Sequence, residues 1–477
     1  MKTLKFTILA VLCTCLCSCS DFLELSPVSN MNENDFYQTE DDFETAVASA
    51  YATLYTEYHP EGGPSLSELL SDECLVYSSN VITSNGTNTD VYPWVTYSIL
   101  TSNTMVASVW NNTYSSLNVV NKIIDNLQGV EFETEGLRDM YEGEMRFLRA
   151  LYHFNLVRLF GPIPIVDHSV TVEESYSILR SDEDDVYDFI IDDLEYAISV
   201  LPLQSKIDRT GQITIGAAQT LLGKVYLTTG DNSSAATVLK KVIDSGEYAL
   251  LDNYADLWDV DNENTEEGIL EINYDAVSTT PSSPYMEYYV PYENFSITSQ
   301  GRGLNQVTDV LWDNYEDGDP RREASIREGY NNSSGSWVDI LFESKWYDEL
   351  YIESNSYYHE SNFIVLRYAD VLLMYAEATS DATYLNMVRN RAGMPEYGSS
   401  DYPSDTYSTF ALAIEHERQV ELALEFHRFF DLKRTGRGPT VLTSAKGKTI
   451  TSDMMVLPIP LEVIDQNPNI TQNSYYE

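Results

Sequence analysis

Basic side chains are scarce: 28 Lys and Arg stand against 75 Asp and Glu, a formal charge of −47. So acidic a chain repels polyanions, which removes nucleic acid and anionic membrane surfaces from its partners. A neutral or cationic ligand is tolerated, and the charge also favours solubility. Nowhere is there an unbroken apolar run of about 18 residues, so no helix is expected to span a bilayer. Nucleophile elbows, phosphate loops and dinucleotide loops are missing too. Gly301-Arg302-Gly303 and Gly436-Arg437-Gly438 lack a third glycine at the required place. His416-Glu417-Arg418-Gln419-Val420 opens like a zinc-protease helix, but Val420 occupies the second ligand's position. Asp259, Asp261 and Glu263 have the spacing of a calcium loop, yet Asn264 replaces its glycine and the closing glutamate is absent. No catalytic residue, metal or cofactor is therefore expected.

Cysteine is confined almost entirely to the N-terminus, at positions 13, 15, 17 and 19, with Cys74 alone beyond. Lys2 and Lys5 precede an apolar run from Phe6 to Leu16, too short for a stable spanning helix. Leu16-Cys17-Ser18-Cys19 then resembles a bacterial lipobox, with leucine three before the cysteine and a small residue just before it. Residues 1–18 are thus expected as signal peptide, Cys19 as the lipidated residue, and 19–36 as a polar tether containing Pro27. Cys17 and Cys15 fit less well: Thr14 takes the leucine position for the first and directly precedes the second. An ordinary secreted protein with a cysteine-rich leader is the alternative. If Cys19 is acylated, Cys74 has no disulfide partner.

What the chain has in quantity is apolar and aromatic surface: 43% hydrophobic and 12% aromatic residues, with 35 Tyr, enough for a large core. Glu144–Val166, EMRFLRALYHFNLVRLFGPIPIV, organises it. At helical spacing Phe147, Leu148, Leu151, Tyr152, Phe154 and Leu159 share a broad face, with Arg146, Arg149 and His153 opposite. Gly161 ends the helix cheaply, and Pro162 and Pro164 leave Ile163–Val166 extended. Glu144, Asn155 and Arg158 fall within the apolar face and need polar partners if buried.

Helical spacing recurs over Asp41–Tyr58, briefly at Ser67–Cys74, then over Thr104–Leu127, Asp182–Leu201, Gln212–Gly230 and Ala235–Ile243. It returns over Val365–Thr379, Thr383–Ala392 and Thr409–Thr435. Trp110 sits on the stripe of Thr104–Leu127 and is assigned to the core. Gly216, Ala217, Ala218 and Gly223 let neighbouring helices approach closely, as in a tetratricopeptide unit, although that repeat's consensus is absent. Residues 75–100 and about 249–364 lose the period and turn rich in Tyr, Trp, Asn, Ser and Gly. The expected fold class is mostly α: a tetratricopeptide-like helical-repeat base with a loop-rich insert containing short strands such as Ile269–Ile272. One domain is expected over 37–477, helical to about 248, with the insert at about 249–364 and helices again over 365–477. The C-terminal MVLPIPLEVIDQNPNITQNSYY reads as extended and broken by proline.

FLRALYHFNLVRLFGPIPIV is followed in order by GAAQTLLGKVYLTTGD, YADVLLMYAEA, VRNRAG, ERQVELALEFHRFFDLKR and LPIPLEVIDQNPNITQN. This series resembles the SusD-like (RagB/SusD) outer-membrane nutrient-binding lipoproteins of Bacteroidetes. Ser71-Asp72-Glu73 is similar to a further motif of that family, and CSDFLELSP from Cys19 to its mature start, though the acidic residues there are few. The resemblance covers essentially the whole mature chain. It implies a SusD-like fold, a lipid anchor on the outer membrane facing the medium, no catalysis, and delivery of a captured glycan to a SusC-like TonB-dependent transporter.

Rings in the irregular stretches are the candidate ligand contacts: Tyr77, Tyr92 and Trp94 in the first, and Tyr285, Tyr288, Tyr289 and Tyr292 in the second. The second set lies in Pro284–Phe295, whose prolines leave it no helical option. Sugar C–H faces lie flat on such rings while amides, carboxylates and guanidinium groups take the hydroxyls. The resemblance implies a platform of this kind. Trp337, Trp346, Tyr357 and Tyr358 are weaker candidates. The same residues suit a peptide or other nutrient, a packing surface for a protein, or an endo-glycanase whose paired carboxylates the many acids would conceal. A helical-repeat scaffold with no small-molecule site is the remaining alternative. Glycan binding without catalysis is the expectation carried forward.

Overall fold

Local side-chain caps set where the helices begin. The computed structural model describes residues 36–76, 89–275, 281–292, 301–347 and 359–477; Cys19, Tyr77, Tyr357 and Tyr358 lie outside the described residues. Helix α1 (Glu40–Glu57) opens on a capping box in which Thr39 Oγ1 accepts from Asp42 N and the Asp42 carboxylate accepts from Thr39 N. Helix α2 (Thr104–Leu127) is capped by Asn103, whose Oδ1 accepts from Met105 N and Val106 N. Helix α3 (Leu137–Phe160) stops at Gly161, with φ +72°. Helix α4 (Glu183–Val200) carries Glu183, Asp184 and Asp185 in its first turn, where the helix dipole favours them. Helices α5 (Ile215–Thr229) and α6 (Asn232–Ser245) follow, joined through Gly230 and the cap Asp231.

Each of these helices packs on the next, and the series continues from α6 to α7 (Tyr368–Thr379), then to α8 (Ala382–Arg391) and α9 (Phe410–Glu421). The chain is mostly helical, with the repeat-like base expected from the sequence. A Cβ on Gly223 would lie 2.4 Å from Leu239 Cδ2, so glycine sets how closely α5 and α6 approach.

The central helix is buried on nearly every side, which corrects the division into apolar and polar faces. Arg149 forms a two-pronged pair with Asp193 of α4 at 2.7 Å and also donates to Asn121 of α2. His153 is bonded through Nδ1 to Arg149 O and accepts at Nε2 from Val166 N; burial lowers its pKa to about 4, so it stays neutral. The three polar residues of the apolar face do find partners. Glu144 accepts from Arg209 at 2.7 Å and Gln212 at 2.9 Å, while Asn155 donates to Glu57 and accepts from Arg158.

The strands are short and pair in twos, all antiparallel: β1 (Cys74–Leu75) with β3 (Gln306–Val307), β2 (Gly268–Ile272) with β6 (Phe363–Arg367), and β4 (Ile326–Asn331) with β5 (Trp337–Glu343). Val365–Arg367 is therefore strand, and α7 starts at Tyr368; Phe363–Leu366 is a wholly buried apolar run that β2 completes as a ladder. Ser67–Cys74 differs as well: helix Gly63–Ser67 passes through a 3₁₀ turn into β1. The stretch expected as one helix over Thr409–Thr435 breaks between α9 and α10 (Arg428–Arg434), where Leu424 and Phe426 take φ of +68° and +67°. After Gly436 a further helix, α11 (Gly438–Lys446), forms, and Leu461–Gln466 is helical within the irregular C-terminal stretch. Base and insert contribute side chains to one shared hydrophobic core.

Candidate functional site

The aromatic segment does form a helical turn, Tyr285–Tyr289, and this overturns the expectation that its prolines forbid one. Pro284 stands just before the first helical residue, where a missing N–H costs nothing, and the chain becomes extended again at Val290. One turn of helix places Tyr285, Tyr288 and Tyr289 on a common face. That face points inward. Tyr285 is fully buried, stacked on Trp346 at 4.8 Å and on Phe363 at 5.2 Å, and Phe363 stacks on Phe426 at 4.8 Å. The tyrosine hydroxyls fasten this stack to the base: Tyr285 OH donates to Tyr58 O at 2.6 Å, and Tyr289 OH shares a 2.6 Å hydrogen bond with Ser65 Oγ.

Trp94, Tyr289 and Trp346 are likewise core residues, so these rings cannot present a face to a ligand as the sequence suggested. The turn Tyr92–Val95 sends Trp94 inward and leaves Tyr92 39% exposed. Tyr292 is half-buried where the aromatic segment leaves the core, and Trp337 is 58% exposed on the β4–β5 hairpin.

Between the buried stack and solvent lies a small polar rim. Tyr288 is itself buried, at 5% exposure, and Arg302 lies over the ring with its guanidinium 4.1 Å from the centroid. Arg302 Nη1 also donates to Tyr288 OH at 3.0 Å, and the His59 ring meets Tyr288 edge-on at 4.9 Å. Burial, with help from Glu61, pushes the Tyr288 hydroxyl up to about 12. Burial lowers the His59 pKa; Glu61 opposes this and Arg302 adds to it, so a neutral imidazole and a cation are presented together. His59, Glu61, Arg302 and Tyr292 are all half-buried. This rim offers donors, acceptors and ring edges. Among the described residues no group of His, Cys, Asp and Glu could hold a metal ion.

Sequence profiles of two families match the chain: the SusD family over residues 294–476, and starch-binding proteins associating with the outer membrane over 21–227. The chain belongs to the SusD family. SusD-like protein P2 of Formosa agariphila is 28% identical over 99% of either chain. A solved laminarin-binding SusD-like protein is 28% identical and superposes with a TM-score of 0.80 over 92% of this chain and 100% of that one. Surface glycan-binding protein A from Bacteroides fluxus, 24% identical with a TM-score of 0.77 over 92% of this chain and 100% of its own, shares the fold.

In this SusD-family chain, residues of the family-like segments VRNRAG and ERQVELALEFHRFFDLKR take part in a buried ionic junction with charged residues of the insert. Arg321 donates to Glu417 at 2.6 Å and Glu421 at 2.8 Å, and pairs with Asp319. Arg367 binds Glu267, Glu421 and Glu425; Lys345 donates to Glu425 at 2.6 Å, and Arg391 pairs with Glu421 and Glu267. Burial pushes the Glu421 carboxyl up, but Arg391, Arg367 and Arg321 more than reverse it and hold it far below the usual range. The family-like Ser71-Asp72-Glu73 belongs to a similar fastening, with Asp72 paired to Arg428 at 2.8 and 2.9 Å and Glu73 accepting from Leu424 N. Sequence reasoning missed this junction, although a signal was present. Glu417 and Glu421 are like charges one turn apart, which an exposed helix disfavours and a shared buried cation rewards.

Proposed function

We propose that this chain is a cell-surface lipoprotein, anchored through Cys19 in the outer membrane, that binds a glycan and passes it to a SusC-like TonB-dependent transporter. Family membership supports the ligand class: one matching profile describes starch binding with outer-membrane association, and a relative sharing the fold is named for laminarin. None of the described helices is long and apolar enough to cross a membrane, which is compatible with a lipid anchor. The observation that supports the reading is the rim at Tyr288, where Arg302 and His59 meet the ring, with half-buried Tyr292 four residues further along the chain. Tyr92 and Trp337 are further sequence-predicted rings open enough to stack on a sugar. Trp94, Tyr285 and Tyr289 act beneath this surface as its rigid support.

The protein binds and does not cut; its relatives are named as binding proteins. Calorimetry against plant, host and microbial polysaccharides tests the reading. Arg302→Ala and Tyr292→Ala should each weaken the bound glycan by about tenfold with an unchanged unfolding midpoint. Full affinity in both variants would move the site elsewhere. Release of reducing sugar by the purified protein, abolished by one carboxylate substitution, would replace binding with catalysis. Purification from outer membranes should bring the transporter with it.

A further inference from the structure

We infer that the cleft between α2 and the C-terminal segment is a second carbohydrate site, suited to a neutral oligosaccharide and separate from the rim at Tyr288. It takes its ligand class from the function proposed above, but the two sites share no residue. The cleft encloses about 560 Å³, within the roughly 300–1,000 Å³ of small-molecule sites. In a chain of charge −47, none of the described side chains lining it is charged. A charged ligand would find no counter-ion there, whereas hydroxyl groups find amides.

Its aromatic floor is held in place. The Trp110 and Tyr114 rings lie 4.9 Å apart, and Tyr114 OH donates to Pro164 O at 2.9 Å. Trp110 was expected in the core; it is indeed buried, and it also borders this cleft. Tyr176, on the opposite wall, is 47% exposed and supplies a stacking face. The polar groups are distributed as a sugar requires. Asn118 Oδ1 is taken by Val170 N at 3.2 Å, leaving its NH₂ as a donor. Asn111 Nδ2 is taken by Glu462 at 2.6 Å, leaving its Oδ1 as an acceptor. A second hollow of about 450 Å³ also touches Asn111, but Glu462 and Asp465 line it, so the neutral site is the first cleft.

The test is calorimetric titration of the full chain with laminarihexaose, maltohexaose and cellohexaose, in parallel with Tyr176→Ala, Val172→Asp and Arg302→Ala. Val172 borders the cleft and is 73% exposed, so its variant places a charge in the neutral cleft without disturbing the core. Two binding events are expected. Tyr176→Ala and Val172→Asp should weaken one by about fivefold or more, and Arg302→Ala the other, with unfolding midpoints unchanged. Loss through Arg302→Ala alone overturns the second site and leaves the rim standing. Loss through Tyr176→Ala and Val172→Asp alone keeps the cleft and overturns the rim. No heat from any of the three sugars overturns both. Sugar binding unchanged in Tyr176→Ala, together with release of a co-purifying membrane protein, overturns the sugar assignment in favour of a docking surface.

Discussion

The helical base and the insert solve the burial of polar groups in different ways. In the base, polar residues on α3 pair with side chains of neighbouring helices, as Arg149 does with Asp193 and Glu144 with Arg209. In the insert, rings form the interior and their hydroxyls reach into the base, as with Tyr285 to Tyr58 O and Tyr254 to Glu421 O. Where the two meet, cations of the insert such as Arg321 and Lys345, joined by Arg367 just beyond it, engage acids of the α9 region. A tyrosine-rich insert is thus a fastening to the base. Its rings are available to a ligand only where the helical turn or the fold leaves an edge outside.

Five substitutions can break or sharpen this contrast. The largest effect is expected at the junction. Arg367→Met leaves Glu267, Glu421 and Glu425 short of a buried cation and should cost ~3–5 kcal/mol in denaturant unfolding. A cost below ~1 kcal/mol would mean that the two regions are not locked by charge. Tyr285→Ala removes the centre of the ring stack and should cost about 3 kcal/mol by the same measurement.

A pH effect of similar size belongs to the base. Burial raises the Glu57 carboxyl from 4.5 to about 7, against the hydrogen bonds from Thr113 and Asn155. Its contribution is complete below the lower value and lost as pH rises through the upper one. From this group the chain should weaken by ~3 kcal/mol between about pH 5 and about pH 9, and Glu57→Gln should flatten that dependence. Gly223→Ala forces α5 from α6 and should cost ~1–3 kcal/mol, read as a lower unfolding midpoint. Tyr92→Ala should change stability by less than ~0.5 kcal/mol while weakening glycan binding if Tyr92 stacks on the ligand; unchanged calorimetric affinity would remove it from the site.

Helix extents were legible because their causes are local. Periodicity over Thr104–Leu127 returns with the same ends, and Gly161 and Gly230 close helices at positive φ as their positions suggest. The break at Leu424 and Phe426 was not legible, since nothing in their neighbours forbids a helix. It is maintained by contacts with the distant Glu73 and Arg367. Of the rings offered as ligand contacts, Trp94, Tyr285, Tyr288 and Tyr289 are buried, an orientation the sequence did not reveal. Three tyrosines spaced for one helical face were visible at 285, 288 and 289, and the helix itself was discounted because of two prolines that merely bracket it.

By itself the sequence determined the helical base, the family and the chemistry on offer, because helix periods, caps and motif order are carried by residues close together in the chain. Tertiary structure alone decided which rings are sealed and which acids are matched by cations. Those outcomes depend on surfaces such as Trp346, Phe363 and Arg321, which reach Tyr285 and Glu421 only when segments far apart in sequence are brought together.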